Sequence, residues 1–251
     1  MKKYLDREEI KRLHSLGMND NEIARQLKAS VNGIRYVRKD VLKLSHNKPI
    51  YTINEDMESI IIGTLLGDAW VGYIHKGCKY PKYQTSHSEK QLTYLKTIYE
   101  SLKPIMTNNV VCSKRKEITI QDKKCIRNNQ FLIASRNCEN LIIYRNAFYK
   151  NNKKIIPVNF LKTRFNDKSL AYWYMDDGSL DRKRHSYIFN TQCFDRENLE
   201  EFIQFLLEKF ELKFTIKKDN SLYLRHCSNI KFENLIRRFL TEDMQYKIVS
   251  S

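Results

Sequence analysis

The sequence predicts an α+β fold: two copies of an α-β-β-α-β-β-α unit behind a small helical N-terminal module. Three observations predict it. Two apolar segments, IIIGTLLGDAW (60–70) and LAYWYMDDGSL (170–180), each run as a helix into an acid, Asp68 and Asp177. The elements that follow recur in the same order, so aligning Leu92 with Leu199 also aligns the helix caps Ser88 and Asp195. Residues 1–40 carry three short amphipathic helices of their own. Two helices that each end in a carboxylate, packed about a pseudo-twofold axis, would bring both acids to one metal-binding site.

In chain order, Asp6 caps a first helix, with Glu9 completing a capping box and Gly17 as the left-handed stop. A second helix starts near Asn19 or Asp20 and buries Ile23, Ala24 and Leu27. Ser30 caps a third (30–40), with Val31, Ile34 and Val37 inward and Arg35, Arg38 and Lys39 outward. This order reads as a helix-turn-helix whose third helix enters a major groove. Gly33 weakens that helix by about 1 kcal/mol relative to Ala. Residues 41–53, around Pro49, read as a linker.

A first repeat (54–160) then begins with a helix from Asn54 to Asp68, strands at 70–75 and 82–86, and a helix at 88–102. Strands at 109–113 and 130–135 and a helix near 138–149 complete it. The second repeat (161–251) starts with a helix at 168–176 ending on Asp177, then strands at 178–182 and 186–192. A helix capped by Asp195 carries Leu199, Phe202, Ile203, Leu206 and Phe210; strands at 212–218 and 221–226 and a helix near 231–239 follow.

The chain has 251 residues, of which 41% are hydrophobic, enough for a substantial core rather than a disordered chain. No apolar run reaches the roughly 18–20 residues of a membrane span, and MKKYLDREEIKRL lacks the apolar stretch of a secretory signal. Lys and Arg number 45 against 29 Asp and Glu, a net charge of +16, which calls for a polyanionic partner, nucleic acid first. The charge is spread over Arg35, Arg38 and Lys39, Lys114, Arg115 and Lys116, Arg182, Lys183 and Arg184, Lys217 and Lys218, and Arg237 and Arg238. Such a distribution suits a long binding face better than a sticky tail. The six cysteines form no CxxC pair and no Cys/His grouping has zinc spacing, so free thiols are expected. The six histidines form no paired metal motif.

Gly63 and Gly67 stand at i and i+4 on one helix face. Each costs about 0.5–1 kcal/mol in a helix interior, and close approach of another backbone is the packing reason that offsets it. Across from them, Ala171 is small and Tyr172 bulky, so the two faces fit small against large. Asp68 at a helix C-terminus is disfavoured by the macrodipole by about 0.3–1 kcal/mol, which a divalent cation would reverse. Asp176 precedes Asp177, so two acids stand where the first segment has one; Asp176 reads as a helix-end or DNA-proximal residue.

These residues resemble the two signature helices of LAGLIDADG homing endonucleases, in particular single-chain members encoded in mitochondrial introns. The resemblance extends through FNTQCF (189–194), KNNKKIIP (150–157) and MQYKI (244–248), and covers about residues 54–251. It implies signature helices at the centre of a monomer and saddle-shaped antiparallel sheets in the major groove of double-stranded DNA. It also implies that the acid at each helix end binds a divalent metal, Mg²⁺ with Mn²⁺ as a substitute, and cuts one strand to leave staggered ends. Carried over, Asp68 and Asp177 are the metal ligands, and Lys154 and Lys247 lie near the scissile phosphates. Gln192 orients a water or contacts the backbone, with Thr85 or Gln84 as its counterpart. Ala69 departs from the family's terminal glycine, and the helix-turn-helix is an addition that extends the footprint.

Two other readings are an RNA-binding intron maturase and a transcription regulator on a disarmed core; the regulator would be expected to lose the paired acids, and both remain. The expected place is inside the cell, in cytoplasm or nucleoid, or in a mitochondrial matrix if the gene is organellar.

Overall fold

Apolar spacing and capping side chains set the helices of the N-terminal unit, Met1–Tyr51. The structure, a computed structural model, describes residues 5–16, 18–45, 51–107, 110–113, 118–120, 123–125 and 129–249, and no side chains within 118–125. Gly17, Pro49 and the basic run Lys114, Arg115 and Lys116 lie outside the described residues.

Helix α1 (Arg7–Ser15) is capped by Asp6, which accepts the backbone N–H of Glu8 and Glu9. Glu9 closes no capping box there, because its carboxylate is engaged by Arg12 at 2.6 and 2.7 Å. The reciprocal box belongs instead to α2 (Asp20–Gln26), between Asn19 and Glu22. Helix α3 (Val31–Tyr36) is capped by Ser30 and widens into a π-turn over Val37–Val41. Ile10, Leu13, Ile23, Ala24, Ile34 and Val37 form the unit's core, with Val41 and Leu42 packed against it. The apolar packing thus runs past residue 40 into the stretch read as linker.

The π-turn corrects one expectation. Arg38 is 6% exposed rather than outward. Its guanidinium grips Asp20 at 2.6 and 3.1 Å and donates to Leu44 O at 2.8 Å. The wider turn brings both Val37 and Arg38 inward, and Asp20, itself 1% exposed, requires a cation there. Arg35 and Lys39 remain exposed.

The second unit, Thr52–Ser251, is built on one helix pair. Helix α4 (Glu55–Leu66), capped by Asn54, packs along α8 (Asp167–Asp177), capped by Asn166. Over their middle turns, Ser59–Leu66 and Ser169–Met175, both helices are buried on every side, as a central pair must be. A Cβ built on Gly63 would stand 2.5 Å from Ser169 O and 2.7 Å from Tyr172 Cβ. One built on Gly67 would lie 2.3 Å from Asp176 Cβ. The two glycines therefore face α8, small against large.

Each member of the pair opens a repeat. After α4 come β1 (Trp70–Gly72), β2 (Lys82–Ser88), α5 (Leu92–Ser101), β3 (Val111–Ser113), the short hairpin β4 (Ile118–Ile120) and β5 (Lys123–Cys125), β6 (Gln130–Ala134) and α6 (Ile142–Phe148). The hairpin β7 (Tyr149–Lys150) and β8 (Lys153–Lys154) and the short α7 (Val158–Leu161) lead to α8. After α8 come β9 (Gly178–Asp181), β10 (Ser186–Phe189), α9 (Arg196–Phe210), β11 (Phe214–Ile216), β12 (Leu222–Leu224) and α10 (Asn229–Ile236). The two four-stranded antiparallel sheets have the same strand order, β1-β2-β6-β3 and β9-β10-β12-β11. Strand β2 alternates strictly: Tyr83, Thr85 and His87 point inward, while Lys82, Gln84, Ser86 and Ser88 line the other face.

The aligned caps Ser88 and Asp195 stand at the expected places, yet neither side chain caps its helix. Asp195 is drawn to Lys153 at 2.7 and 3.0 Å. The amide of Tyr94 in α5 is met by Asp243 from the second repeat at 3.0 Å. Ala69 stands where the second repeat has Gly178, and the difference has a steric reason. A Cβ on Gly178 would meet the Tyr174 ring at 2.1 Å, whereas the corresponding residue of α4 is the smaller Leu65.

Candidate active site

The two acids reach the end of the helix pair by unequal routes. Asp177 is the last residue of α8. Helix α4 stops at Leu66, because Gly67 turns the chain into φ −101°, ψ −130°, so Asp68 lies just outside the helix. Asp68 is exposed, Asp177 half-buried, and the side chain of Asp176 fully enclosed. Of the two places expected for Asp176, the structure gives the helix end: it lies in the last turn of α8 on the face that receives Gly67, and the helix interface covers its side chain.

Asp176 is held from three sides. Its Oδ2 accepts the backbone N–H of Asp68 at 3.1 Å, its Oδ1 accepts the Tyr94 hydroxyl at 2.7 Å, and His87 Nε2 lies 3.5 Å from Oδ1. Ligand atoms of Asp68, His87 and Asp176 lie within 4.8 Å of one another. Burial, then the neighbouring Asp68, pushes the Asp176 carboxyl up to about 8. Asp177 is likewise pushed up to about 8 by burial, Asp68 and Asp176, against the pull of Lys154 and Lys247. Burial holds the His87 imidazole below its ordinary value despite the opposing charge of Asp68. Carboxyls crowded at the negative ends of two helices are a charge arrangement that a divalent cation neutralises.

Two lysines meet the two helix ends in matching fashion. Lys154 donates to Gly67 O at 2.7 Å and Ala69 O at 2.9 Å. Lys247 donates to Met175 O at 2.5 Å and Asp176 O at 3.2 Å. Each ammonium thus lies on the carbonyls beside its own repeat's acid, favourable at a helix C-terminus. Lys154 is presented by the tight β7–β8 hairpin, whose Asn151 and Asn152 both adopt positive φ (49° and 60°), as the two-residue turn demands. Lys247 ends the turn Glu242–Lys247 and is 6% exposed. Burial lowers both ammonium groups, and the three carboxylates oppose that shift.

Gln192 is exposed, and its side chain hydrogen-bonds Asp219. Its counterpart Thr85 is 2% exposed and lies 3.4 Å from His87, while neighbouring Gln84 faces the open side of its sheet. Arg182, Lys183 and Arg184 occupy the exposed β9–β10 turn, where Asp181 accepts the amides of Lys183 and Arg184. Arg182 also donates to Tyr246 O at 2.9 Å. Lys217 is exposed at the end of β11, over the Tyr223 ring at 4.7 Å. The sequence reading missed His87 and Tyr94. Strict alternation along β2 puts His87 on the inner face with Tyr83, a legible signal; nothing local marks Tyr94.

A helix pair that brings an acid to the end of each helix, flanked by two matching sheets, defines a two-repeat core. Residues 58–235 match the model of the LAGLIDADG DNA endonuclease family, and the chain belongs to that family. The N-terminal unit lies outside the matched segment. The chain is 26% identical over 230 residues to probable intron-encoded endonuclease 1 of Wickerhamomyces canadensis, covering 84% of this chain and 95% of that one. It is also 26% identical over 222 residues to the cytochrome b mRNA maturase bI2 of Saccharomyces cerevisiae, covering 82% of this chain but 50% of that protein. Among solved structures, the homing endonuclease I-WcaI bound to its DNA recognition sequence shares the fold, with a TM-score of 0.70 at 23% identity over 85% of this chain and 98% of that one.

Proposed function

We propose that this chain is a homing endonuclease that cuts both strands of double-stranded DNA at one long recognition site, leaving staggered ends. The observation that carries this reading is the convergence of Asp68 and Asp177 at the ends of α4 and α8, each with a lysine on the adjoining carbonyls. Asp68 and Asp177 are the metal ligands. Both reach solvent, whereas Asp176 is enclosed and its oxygens are already engaged by Tyr94 and the Asp68 amide. Mg²⁺ is the intended ion, with Mn²⁺ as a substitute, since an all-oxygen, water-accessible set suits hard cations. When bound, such a cation supplies Lewis acidity to a phosphoryl oxygen and acidifies water.

The chain's own residues do the remainder. Lys154 and Lys247 place positive charge beside each acid, where it offsets the charge that builds on a phosphate oxygen during hydrolysis. Gln192, on the exposed side, contacts the backbone or a solvent water. Arg182, Lys183, Arg184 and Lys217 extend from hairpin ends of the second sheet and contact DNA phosphates. Lys114, Arg115 and Lys116, in the first repeat's sequence, add further phosphate contacts. Residues 1–40 act as a helix-turn-helix that lengthens the footprint, with Arg35 and Lys39 as its exposed cations. The chain acts as a monomer whose two repeats each serve one strand, inside the cell where DNA is accessible.

The deciding experiment is cleavage of a random duplex library with Mg²⁺, followed by sequencing of the ends, for wild type and the Asp68→Asn/Asp177→Asn variant. One long sequence with staggered ends, absent with the variant, is the expected result; no cutting by wild type overturns the reading. The similarity to an mRNA maturase supports a second reading, in which the same basic surface also binds intron RNA. Splicing rescue without DNA cleavage would favour it.

A further inference from the structure

We infer that Asp176 is a one-sided positioning residue, holding the Asp68 half of the site through a cross-repeat hydrogen bond with no counterpart at Asp177 among the described residues. The inference rests on the endonuclease reading above. Because Gly67 breaks α4, the Asp68 amide is left beyond the helix while its neighbours return to their own repeat: Gly67 N–H and Ala69 N–H both donate to Thr64 O, at 3.0 and 2.9 Å. The Asp68 N–H donates across the interface to Asp176 Oδ2 at 3.1 Å. Asp177, in contrast, is the last residue of α8, so its backbone is set by its own helix. The residue corresponding to Asp176 in the first repeat is Gly67, which has no side chain with which to reciprocate.

Asp176 is itself immobilised for this task. Tyr94 donates to its other oxygen at 2.7 Å, and Tyr94 is in turn edge-on to His87, with ring centroids 5.0 Å apart. Its Cβ fills the space left by Gly67. The Asp176 side chain is therefore enclosed, and it acts on the reaction through where it holds Asp68. Displacing a reacting group by about 1 Å can cost on the order of a hundredfold in rate. The two strand cleavages consequently depend unequally on Asp176.

The test is single-turnover cleavage of a duplex with distinct labels on its two strands, carrying the sequence that the wild-type chain cuts from a random library. Asp176→Ala keeps the Cβ against Gly67 and removes the acceptor. Asp176→Asn keeps an oxygen for the Asp68 amide, and Tyr94 can turn to accept from its amide group. The expected result is that Asp176→Ala slows one strand roughly ten- to hundredfold relative to the other, while Asp176→Asn keeps the wild-type strand ratio, both at wild-type melting temperature within a few degrees. An unchanged ratio with Asp176→Ala, an equal loss on both strands, or an Asn variant as skewed as the Ala variant each overturns the inference; the last would mean that charge, not position, matters. If wild type cuts no duplex at all, the endonuclease reading itself has failed, a result separable from these.

Discussion

Gly63 lies directly against Tyr172, so close that a methyl group on Gly63 would stand 2.7 Å from Tyr172 Cβ and 2.5 Å from Ser169 O. The second of these contacts is backbone and has no rotamer into which to retreat. Alanine would gain roughly 1 kcal/mol of helix propensity, but overpacking a rigid interface costs about 1–3 kcal/mol. Gly63→Ala is expected to lower the melting temperature, whereas Gly77→Ala, in the β1–β2 loop with only the His75 ring nearby, is expected to change it little. Thermal unfolding of both variants checks the difference.

Asp68→Asn and Asp177→Asn should each abolish double-strand cutting by more than a hundredfold and leave duplex affinity within a fewfold. Gel-shift and cleavage assays on one labelled target separate the two effects. Full cutting by either variant would remove that residue from the site.

Lys154 and Lys247 are expected to influence rate more than binding. Lys247→Met keeps the buried volume and removes the ammonium from Met175 O and Asp176 O. The loss in single-turnover rate should be about a hundred- to a thousandfold, in the range of one removed electrostatic donor. Unchanged rates would refute the role.

Proton linkage gives a sign that can be measured. With Asp176 and Asp177 pushed up to about 8, the metal-free folded chain keeps protons that the unfolded chain has released above the ordinary carboxylate range. These two groups therefore make the folded state less stable as pH rises from about 4 to about 8, and contribute no further change above it. A cation must displace the proton on Asp177. Below pH 8, Mg²⁺ binding should release protons and tighten with rising pH, levelling off above that value. Calorimetric titration at pH 7 in buffers of different ionisation enthalpy reads the release directly.

Arg35 and Arg38 should separate cleanly, although one sequence pattern covers both. Arg38→Ala leaves Asp20 buried without its principal partner, a loss of about 3–5 kcal/mol for such pairs. Circular dichroism of the full chain should show early melting of part of its helix. Arg35→Ala removes a long ion pair to Asp20, 3.8 Å from a largely exposed guanidinium, so it should shift the melt little. It should also reduce the slope of log affinity against log salt by about one. An unchanged slope would show that this helix does not touch DNA.

The main element order of the second unit was legible in the sequence because its longer helices and strands carry their own period and breaks, whereas the hairpins β4–β5 and β7–β8 and the short α7 are too brief to show a period. The glycine face was legible for the same reason, since Gly63 and Gly67 had no other purpose in a helix interior. Arg38 was misread because a regular helix was assumed where the chain makes a π-turn, and one widened turn is enough to carry a side chain from surface to core. The enclosure of Asp176 was also legible. This residue occupies the same helical register as Gly67, and a charged residue on a face that elsewhere tolerates only glycine must be enclosed. Tyr94 was beyond reach, because its partner comes from the other repeat and no local pattern encodes that meeting.

The pairing of Gly67 with Asp176 also bears on how the molecule could be taken apart. A dimer of two first repeats would set glycine against glycine and leave both Asp68 amides without an acceptor. A dimer of two second repeats would press carboxyl against carboxyl in a space that now admits a single side chain. Neither half can stand in for its sibling. Whatever self-complementary ancestor the internal symmetry implies, the two copies have since diverged into obligate complements, so separately expressed halves should reassemble as mixed pairs and not as like pairs.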